Sequence, residues 1–233
     1  MLRKGNLCVL VVLAIIFALA FGACGELGLE GLLDGDLSEG RVDLYSDYPP
    51  GATIGPGFYK VGEPGPAGGI IFYAPSEGFY VDGEVGRFFY LEAAPEDLPG
   101  GLYLWQSAEN EIVSTGTAIG TGRRNTALID DHADETPAAS ACIELRTGDR
   151  PDWFLPSIDE LSELRNQWYN AENPDVYNFN IEVGSSRFWS SSQYAFISVI
   201  RTAMISCFAS PLEPWNYNYK ASETNFVRAI RAF

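Results

Sequence analysis

The chain has 233 residues, of which 31 are acidic and 15 are lysine or arginine, so its formal charge at pH 7 is −16. A surface this acidic repels nucleic acids and anionic lipid head groups at long range, which argues against nucleic acid as a partner. The length is sufficient for one domain with its own hydrophobic core.

The first 23 residues have the pattern of an export signal. Two basic residues precede an apolar run over 7–21, and Gly22-Ala-Cys24 follows. The run is shorter than the roughly 20 residues that a spanning helix needs. The pattern predicts a bacterial lipoprotein, in which the Cys24 thiol is lipidated and becomes the first residue of the mature chain. The alternative is an ordinary secretory signal in which Cys24 is incidental.

Both interpretations place the protein outside the cytoplasm. The lipoprotein interpretation predicts a membrane partner through the lipid, in the cell envelope and at the outer membrane or cell surface rather than the inner membrane. Residues 24–57 are rich in glycine, proline and acidic residues without a helical or strand period. They predict a flexible acidic tether, so that the folded domain covers residues 58–233.

In the first half of this domain, short β-branched and aromatic runs predict strands. They lie at 58–61, 70–73 and 87–92, with a glycine-rich turn over 62–69. Two segments then predict helices, Asn125–Asp131 and Pro137–Leu145, of which the second has a small apolar face.

A third helix has the clearest local signal in the chain. Ser157 and Glu160 form the pattern of a capping box, with Ser157 as the N-cap. Apolar residues then recur on one helical face, and Asn173-Pro174 marks the break after it. That face consists of Ile158, Leu161, Leu164 and Trp168.

The last third of the chain predicts strands again, at 188–191, 196–200, 203–208 and 226–233. Strands, two to three helices and further strands are the pattern of an α+β domain with helices packed on antiparallel sheet.

Two cysteines remain for the folded domain, Cys142 and Cys207. In an exported protein they could form one disulfide that closes a long loop. The alternative is two buried, reduced thiols that pack as small apolar side chains.

No pattern predicts a catalytic centre, a metal site or a cofactor. The single histidine, His132, lies in an acidic run over 130–135, which is interpreted as a solvated loop rather than a site for a hard cation. The segment 120–125 lacks the third glycine and the Lys-Ser/Thr of a phosphate loop. Asn125 or Thr126 is therefore expected to cap the helix that follows.

The best candidate for a ligand surface is the segment 215–219. Aromatic rings beside amides suit carbohydrate, because sugar C–H faces stack on rings while hydroxyls take hydrogen bonds. The candidate residues are Trp215, Asn216, Tyr217 and Tyr219. The alternative is a turn in which Trp215 packs on the domain.

A second set of candidates is basic, since a sulfated ligand would need a local basic patch. Arg123 and Arg124 are the principal members. Further basic residues that could join them are Arg201, Lys220, Arg228 and Arg231.

Seven segments together resemble the Lcl C-terminal domain family, named after a collagen-like bacterial adhesin. In order they are 61–73, 90–95, 117–126, 138–142, 152–161, 188–191 and 227–231. The resemblance covers residues 58–233. It implies an extracellular, non-catalytic binding domain with a fold related to C-type lectins and to the formylglycine-generating-enzyme group.

In the adhesin, this domain is linked to trimerisation and to sulfated glycans. The present chain has no Gly-X-Y stretch to drive trimers and is strongly acidic. We therefore expect a recognition domain for a glycan or a protein at the cell surface. An enzyme-like relative of the formylglycine-generating group and a purely structural envelope protein are the alternatives.

Overall fold

Three α-helices and two three-stranded antiparallel sheets form the part of the chain that a computed structural model describes, residues 55–107, 113–132, 135–179, 186–194, 202–208 and 216–233. This confirms the α+β class. The strands are β1 (Ile70–Tyr73), β2 (Leu91–Ala93), β3 (Arg187–Tyr194), β4 (Thr202–Cys207), β5 (Asn216–Tyr219) and β6 (Ile230–Ala232). The helices are α1 (Gly122–His132), α2 (Pro137–Glu144) and α3 (Ile158–Asn170), and 3₁₀ turns lie at Thr147–Asp149 and Pro174–Tyr177.

The first sheet has the order β1-β2-β6 and places two different sets of side chains on its faces. Side chains alternate between the two faces of a strand. The neighbours of Glu92 in β2 and of Arg231 in β6 therefore point to the opposite face of the sheet. One face contributes apolar side chains to a core with α3: Ile70, Phe72, Leu91, Ala93, Ile230 and Ala232. On the opposite face Glu92 pairs directly with Arg231.

The second sheet has the order β3-β4-β5, and a bulge interrupts its β3–β4 pairing between Trp189 and Gln193. Trp189 and Ile205 are paired across the two strands and belong, with Ala138 and Cys142 of α2, to a second core cluster. Among the described strands, β5 pairs with β4 and is one of the two edge strands of this sheet.

The third helix forms as predicted. The Ser157 hydroxyl accepts from the Glu160 backbone N–H, and the Glu160 carboxylate accepts from the Ser157 backbone N–H, which completes the capping box. Ile158, Leu161 and Leu164 of the predicted apolar face are buried. The helix ends at Asn170, ahead of the predicted break.

Several strand predictions are wrong in position. Residues 58–61 form no strand; instead the backbone N–H groups of Phe58 and Tyr59 donate to the Tyr90 hydroxyl, at 2.8 and 3.3 Å. The strand predicted at 87–92 is shifted to β2, and that predicted at 226–233 is reduced to β6 with isolated bridges before it. Side-chain hydrogen bonds and isolated β-bridges, rather than continuous strand pairing, hold these segments in place.

Other predictions fall outside the described residues: the export signal, Cys24, most of the tether and the strand at 196–200. Within the described residues, no helix is long and apolar enough to cross a membrane.

Candidate functional site

Three tyrosines from two strands lie on one face of the second sheet. Tyr217 and Tyr219 are two positions apart on β5, so their side chains share a face. Tyr194 and Tyr219 both pair with Thr202, which places Tyr194 in the same row across the sheet. The Tyr194 and Tyr217 rings are stacked, with centroids 4.8 Å apart and planes 8° apart. We call Tyr194, Tyr217 and Tyr219 the tyrosine surface.

The tyrosine surface is accessible. Tyr217 is 44% exposed and Tyr219 is 52% exposed, although both lie in a regular strand. Asn216 is also exposed, and its side-chain oxygen accepts from the Tyr217 backbone N–H at 2.8 Å. Flat rings that expose a face and a hydroxyl can stack on an apolar surface of a ligand while hydrogen bonding at its edge.

The sequence predicted Asn216, Tyr217 and Tyr219 as ligand residues, and the structure places all three on β5 rather than in a turn. Trp215 lies outside the described residues. Sequence reasoning missed Tyr194, because its partner across the sheet is distant along the chain and only strand pairing brings the two rings together.

The predicted basic patch is wrong for most of its described members. Arg228, Arg231 and Lys220 are buried, and the Lys220 ammonium lies 5.0 Å from the centre of the Trp105 ring. Burial removes these charges from contact with a large anionic ligand. Arg201 lies outside the described residues.

The two principal basic candidates, Arg123 and Arg124, lie on α1. Arg123 forms a salt bridge with Glu84 at 2.8 Å and lies 3.7 Å from Asp152. Arg124 is more exposed and lies 4.0 Å from Asp82. Both are therefore neutralised by neighbouring carboxylates of the chain itself.

Arg231, in β6 of the first sheet, binds the carboxylates of both Glu92 and Asp152. It donates to Glu92 at 3.1 Å and to both oxygens of Asp152 at 2.9 and 3.0 Å. Glu92 also accepts from the backbone N–H groups of Gly69 and Ala67. Burial raises the pKa of Glu92 above its ordinary value, although Arg231 and these two N–H groups favour the charged form.

Arg228 is saturated by its surroundings. Its five N–H groups point to the Asp97 carboxylate and to the backbone carbonyls of Ala94, Tyr177 and Asn178, at 2.7 to 2.9 Å. Since a guanidinium has five donors, Arg228 has none left for a ligand.

The glycine-rich segment before α1 is occupied by a carboxylate of the chain. The buried Glu160 side chain accepts from the Gly120 backbone N–H at 2.8 Å as well as from Ser157 at 2.7 Å. A Cβ at Gly122 would overlap the Glu160 carboxylate. An anion at this helix N-terminus is therefore already supplied from within, which argues against a phosphate ligand here.

The predicted capping roles of Asn125 and Thr126 are wrong, because α1 begins before both residues. Asn125 instead bonds both backbone groups of Gly116 and the Ser191 hydroxyl, and Thr126 bonds both backbone groups of Leu155. Both side chains therefore form hydrogen bonds that link α1 to segments outside the helix.

The bridging position of Glu160 predicts a pH dependence of stability. Burial raises its pKa from 4.5 to about 7, against the opposing effect of the N–H groups that it binds. The folded state then binds more protons than the unfolded state between these values, so this contribution to stability falls as the pH rises from 4.5 to 7. We compare the free energy of unfolding of the wild-type protein with that of Glu160→Gln. The difference in favour of the wild-type protein should decrease by about 3 kcal/mol from pH 4.5 to pH 8.

Chemical denaturation at several pH values measures this difference. Glu144→Gln, at an exposed position of α2, is the matched control and should show no such change. Parallel pH profiles for wild-type protein and Glu160→Gln would contradict the prediction.

Asp130, in the acidic run around His132, connects two helices. Asp130 accepts from the hydroxyls of Thr136 and Ser140, at 3.3 and 2.8 Å, across the link between α1 and α2. The side chain of His132 lies outside the described residues. Among the groups that are described, no three His, Cys, Asp or Glu residues are arranged to hold a metal ion.

Both cysteines of the domain are free thiols, so the disulfide alternative is not the one found. Cys142 is fully buried in α2 within one core cluster, whereas Cys207 ends β4 and is half-buried. Burial raises the pKa of the Cys142 thiol far above its ordinary value. Cys142 therefore lacks the thiolate character that the enzyme-like alternative requires of a reactive cysteine.

This burial predicts that Cys142 resists a thiol reagent in the native protein. Iodoacetamide labelling at pH 8, read by peptide mass spectrometry, should modify Cys207 at least tenfold faster than Cys142. Labelling in denaturant is the control and should equalise the two rates. Equal rates in the native protein would show that Cys142 is accessible.

Comparisons with known proteins do not assign the chain to a family. No protein-family model matches it, and no curated protein matches it. The resemblance to the Lcl C-terminal domain family stays a prediction from the seven segments.

Proposed function

We propose that the chain is an exported, lipid-anchored protein of the bacterial cell envelope whose domain binds carbohydrate without catalysing a reaction. In this proposal the domain has a C-type-lectin-like fold and belongs with the Lcl C-terminal domains. The observation that carries the binding role is the tyrosine surface, where two rings are stacked and a third lies in the same row on an exposed strand.

The chemistry of the surface favours a neutral glycan. The tyrosine rings offer flat faces for sugar C–H groups, and the tyrosine hydroxyls and the Asn216 amide offer hydrogen bonds at the edge. Three of the basic residues that would favour a sulfated glycan are buried, namely Lys220, Arg228 and Arg231. With a net charge of −16, the protein as a whole repels polyanions.

The amino-terminal pattern supports the anchor. Lipidation of Cys24 would attach the chain to a membrane, and the acidic segment 24–57 would hold the domain at a distance from it. Metabolic labelling with palmitate in a bacterial host tests this step. Wild-type protein should incorporate the label and Cys24→Ser should not; incorporation by both would contradict lipidation at Cys24.

The binding role predicts a specific effect of Tyr217→Ala. On an array of neutral and sulfated glycans, the wild-type protein should bind neutral ligands, and Tyr217→Ala should bind them at least ~10-fold more weakly, a loss of about 1.4 kcal/mol. Stability should change little, since Tyr217 is half-exposed at an outer strand.

Tyr80→Ala provides the matched control, because Tyr80 is 64% exposed and lies outside the tyrosine surface. This variant should bind as the wild-type protein does. Absence of glycan binding, or an equal loss in both variants, would overturn the proposal.

A further inference from the structure

A cavity of about 440 Å³ lies apart from the tyrosine surface and has its own chemistry. A loop after β2 forms one wall, and residues after the 3₁₀ turn at Pro174–Tyr177 form another. Its lining includes Glu96, Asp97, Leu98, Asn178, Phe179 and Phe226. Its volume falls within the range of small-molecule sites.

The charge of this cavity is negative. Two carboxylates line it, and none of the described lining residues is basic. Asp97 is neutralised by Arg228, which lies behind the lining with every N–H group already bonded. An anionic ligand would therefore meet carboxylates and no available donor on Arg228.

Glu96 leaves this group of charges negative, because Arg228 attracts Glu96 from a distance but is itself paired with Asp97. Glu96 is exposed, and among the described residues it has no salt bridge or hydrogen bond. The partly buried ring of Phe226 lies in the same lining and supplies a face that attracts cations, whereas the Arg228 guanidinium already lies 4.3 Å from the centre of the Phe179 ring. Leu98, which is buried, adds an apolar contact.

We propose that this cavity binds a small organic cation, with an alkylammonium or guanidinium group on a short apolar body. The cationic head pairs with Glu96, and the body packs against Leu98 and the two phenylalanine rings. The cation gains from the Glu96 carboxylate and the Phe226 ring face, whereas a neutral molecule of the same shape gains from the apolar contacts alone. This inference does not depend on the carbohydrate proposal, since the two sites share no residue.

The test uses n-butylammonium as the probe, with n-butanol and n-butyrate as matched neutral and anionic compounds. Titrations of the full chain followed by ligand-observed NMR should give butylammonium an affinity about fivefold higher than butanol, with butyrate weakest. Raising the salt concentration should weaken the binding of butylammonium and leave the binding of butanol unchanged.

Two variants of lining residues and one control variant locate the site. Glu96→Gln removes the charge at an exposed position and should reduce the preference for butylammonium over butanol from about fivefold to about twofold, which is the part that the Phe226 ring supplies. Glu144→Gln makes the same charge change outside the cavity and should keep the preference. Phe226→Leu retains an apolar side chain without a ring and should weaken butylammonium more than butanol.

Equal affinities for butylammonium and butanol would overturn the proposal. Unchanged binding in Glu96→Gln would also overturn it, as would no binding of butylammonium at concentrations up to ~20 mM, the weak end of small-fragment affinity. None of these results bears on glycan binding by the tyrosine surface.

Discussion

Replacing Arg231 with methionine should lower the free energy of unfolding by about 3 to 5 kcal/mol. Arg231 and Glu92 are both buried and paired across β2 and β6, and Arg231 also binds Asp152 with two hydrogen bonds. Methionine fills much of the space but leaves the Glu92 charge without its cation. Since a typical domain is stable by only about 5 to 15 kcal/mol, a loss of this size approaches complete unfolding.

The effect of Arg231→Met should depend on pH, because burial already raises the pKa of Glu92 and removal of Arg231 raises it further. At pH 5 protonation of Glu92 in the variant relieves the buried charge, so the loss should be smaller than at pH 8. Urea denaturation at both pH values measures this. Arg124→Met, at a position 61% exposed, should cost less than about 0.5 kcal/mol at either pH. A loss in Arg231→Met that is independent of pH would mean that packing alone is responsible.

Replacing Gly120 with alanine should have a similarly large effect, about 3 to 5 kcal/mol. Gly120 has φ of +93°, and an added Cβ would overlap the backbone carbonyl of Tyr80. The surrounding backbone cannot easily move, because the Gly120 carbonyl accepts from the Asp82 N–H at 2.8 Å and its own N–H is bound by Glu160.

Gly62→Ala distinguishes backbone strain from steric overlap as causes of the stability loss in Gly120→Ala. Gly62 has φ of +88° but no atom within 4 Å of an added Cβ, so the variant carries only the backbone strain, about 1 to 2 kcal/mol. Thermal or chemical denaturation of both variants gives the difference, which belongs to the close approach at Tyr80. Equal losses would refute the steric argument.

Sequence reasoning succeeded where the signal is local. The capping box of Ser157 and Glu160 depends on residues three apart, and the strand at Ile70–Tyr73 on a run of β-branched and aromatic residues. Neither requires knowledge of a distant segment. The same residue Glu160 also accepts from Gly120, forty positions earlier, and nothing in the local pattern indicates this second role.

The failures concern polar side chains whose partners are far away. The sequence offers Arg228 and Arg231 as possible members of a basic patch, whereas the structure buries both on carboxylates more than 130 positions away. Arginines near the end of a chain are ordinarily expected at the surface, because burial of an unpaired charge is costly. Only the folded structure shows that Asp97 and Glu92 pair with them.

The glycines of the turn over 62–69 meet two different structural requirements. Gly68 does have φ of +80°, but Gly65 and Gly69 are needed for a different reason. A Cβ at Gly65 would meet the Glu92 side chain, and one at Gly69 would meet the Ala93 carbonyl. The turn is therefore shaped around a buried carboxylate that the local sequence does not contain.

The pairing of β2 with β6 also governs when the domain can fold. Glu92 and Arg231 are 139 positions apart, and β6 is the last strand described. The first sheet therefore cannot close until the ribosome has synthesised nearly the whole domain, and contacts of this sequence separation form slowly. For a chain that is exported as proposed, β2 therefore lacks its partner β6 during most of the synthesis of the domain.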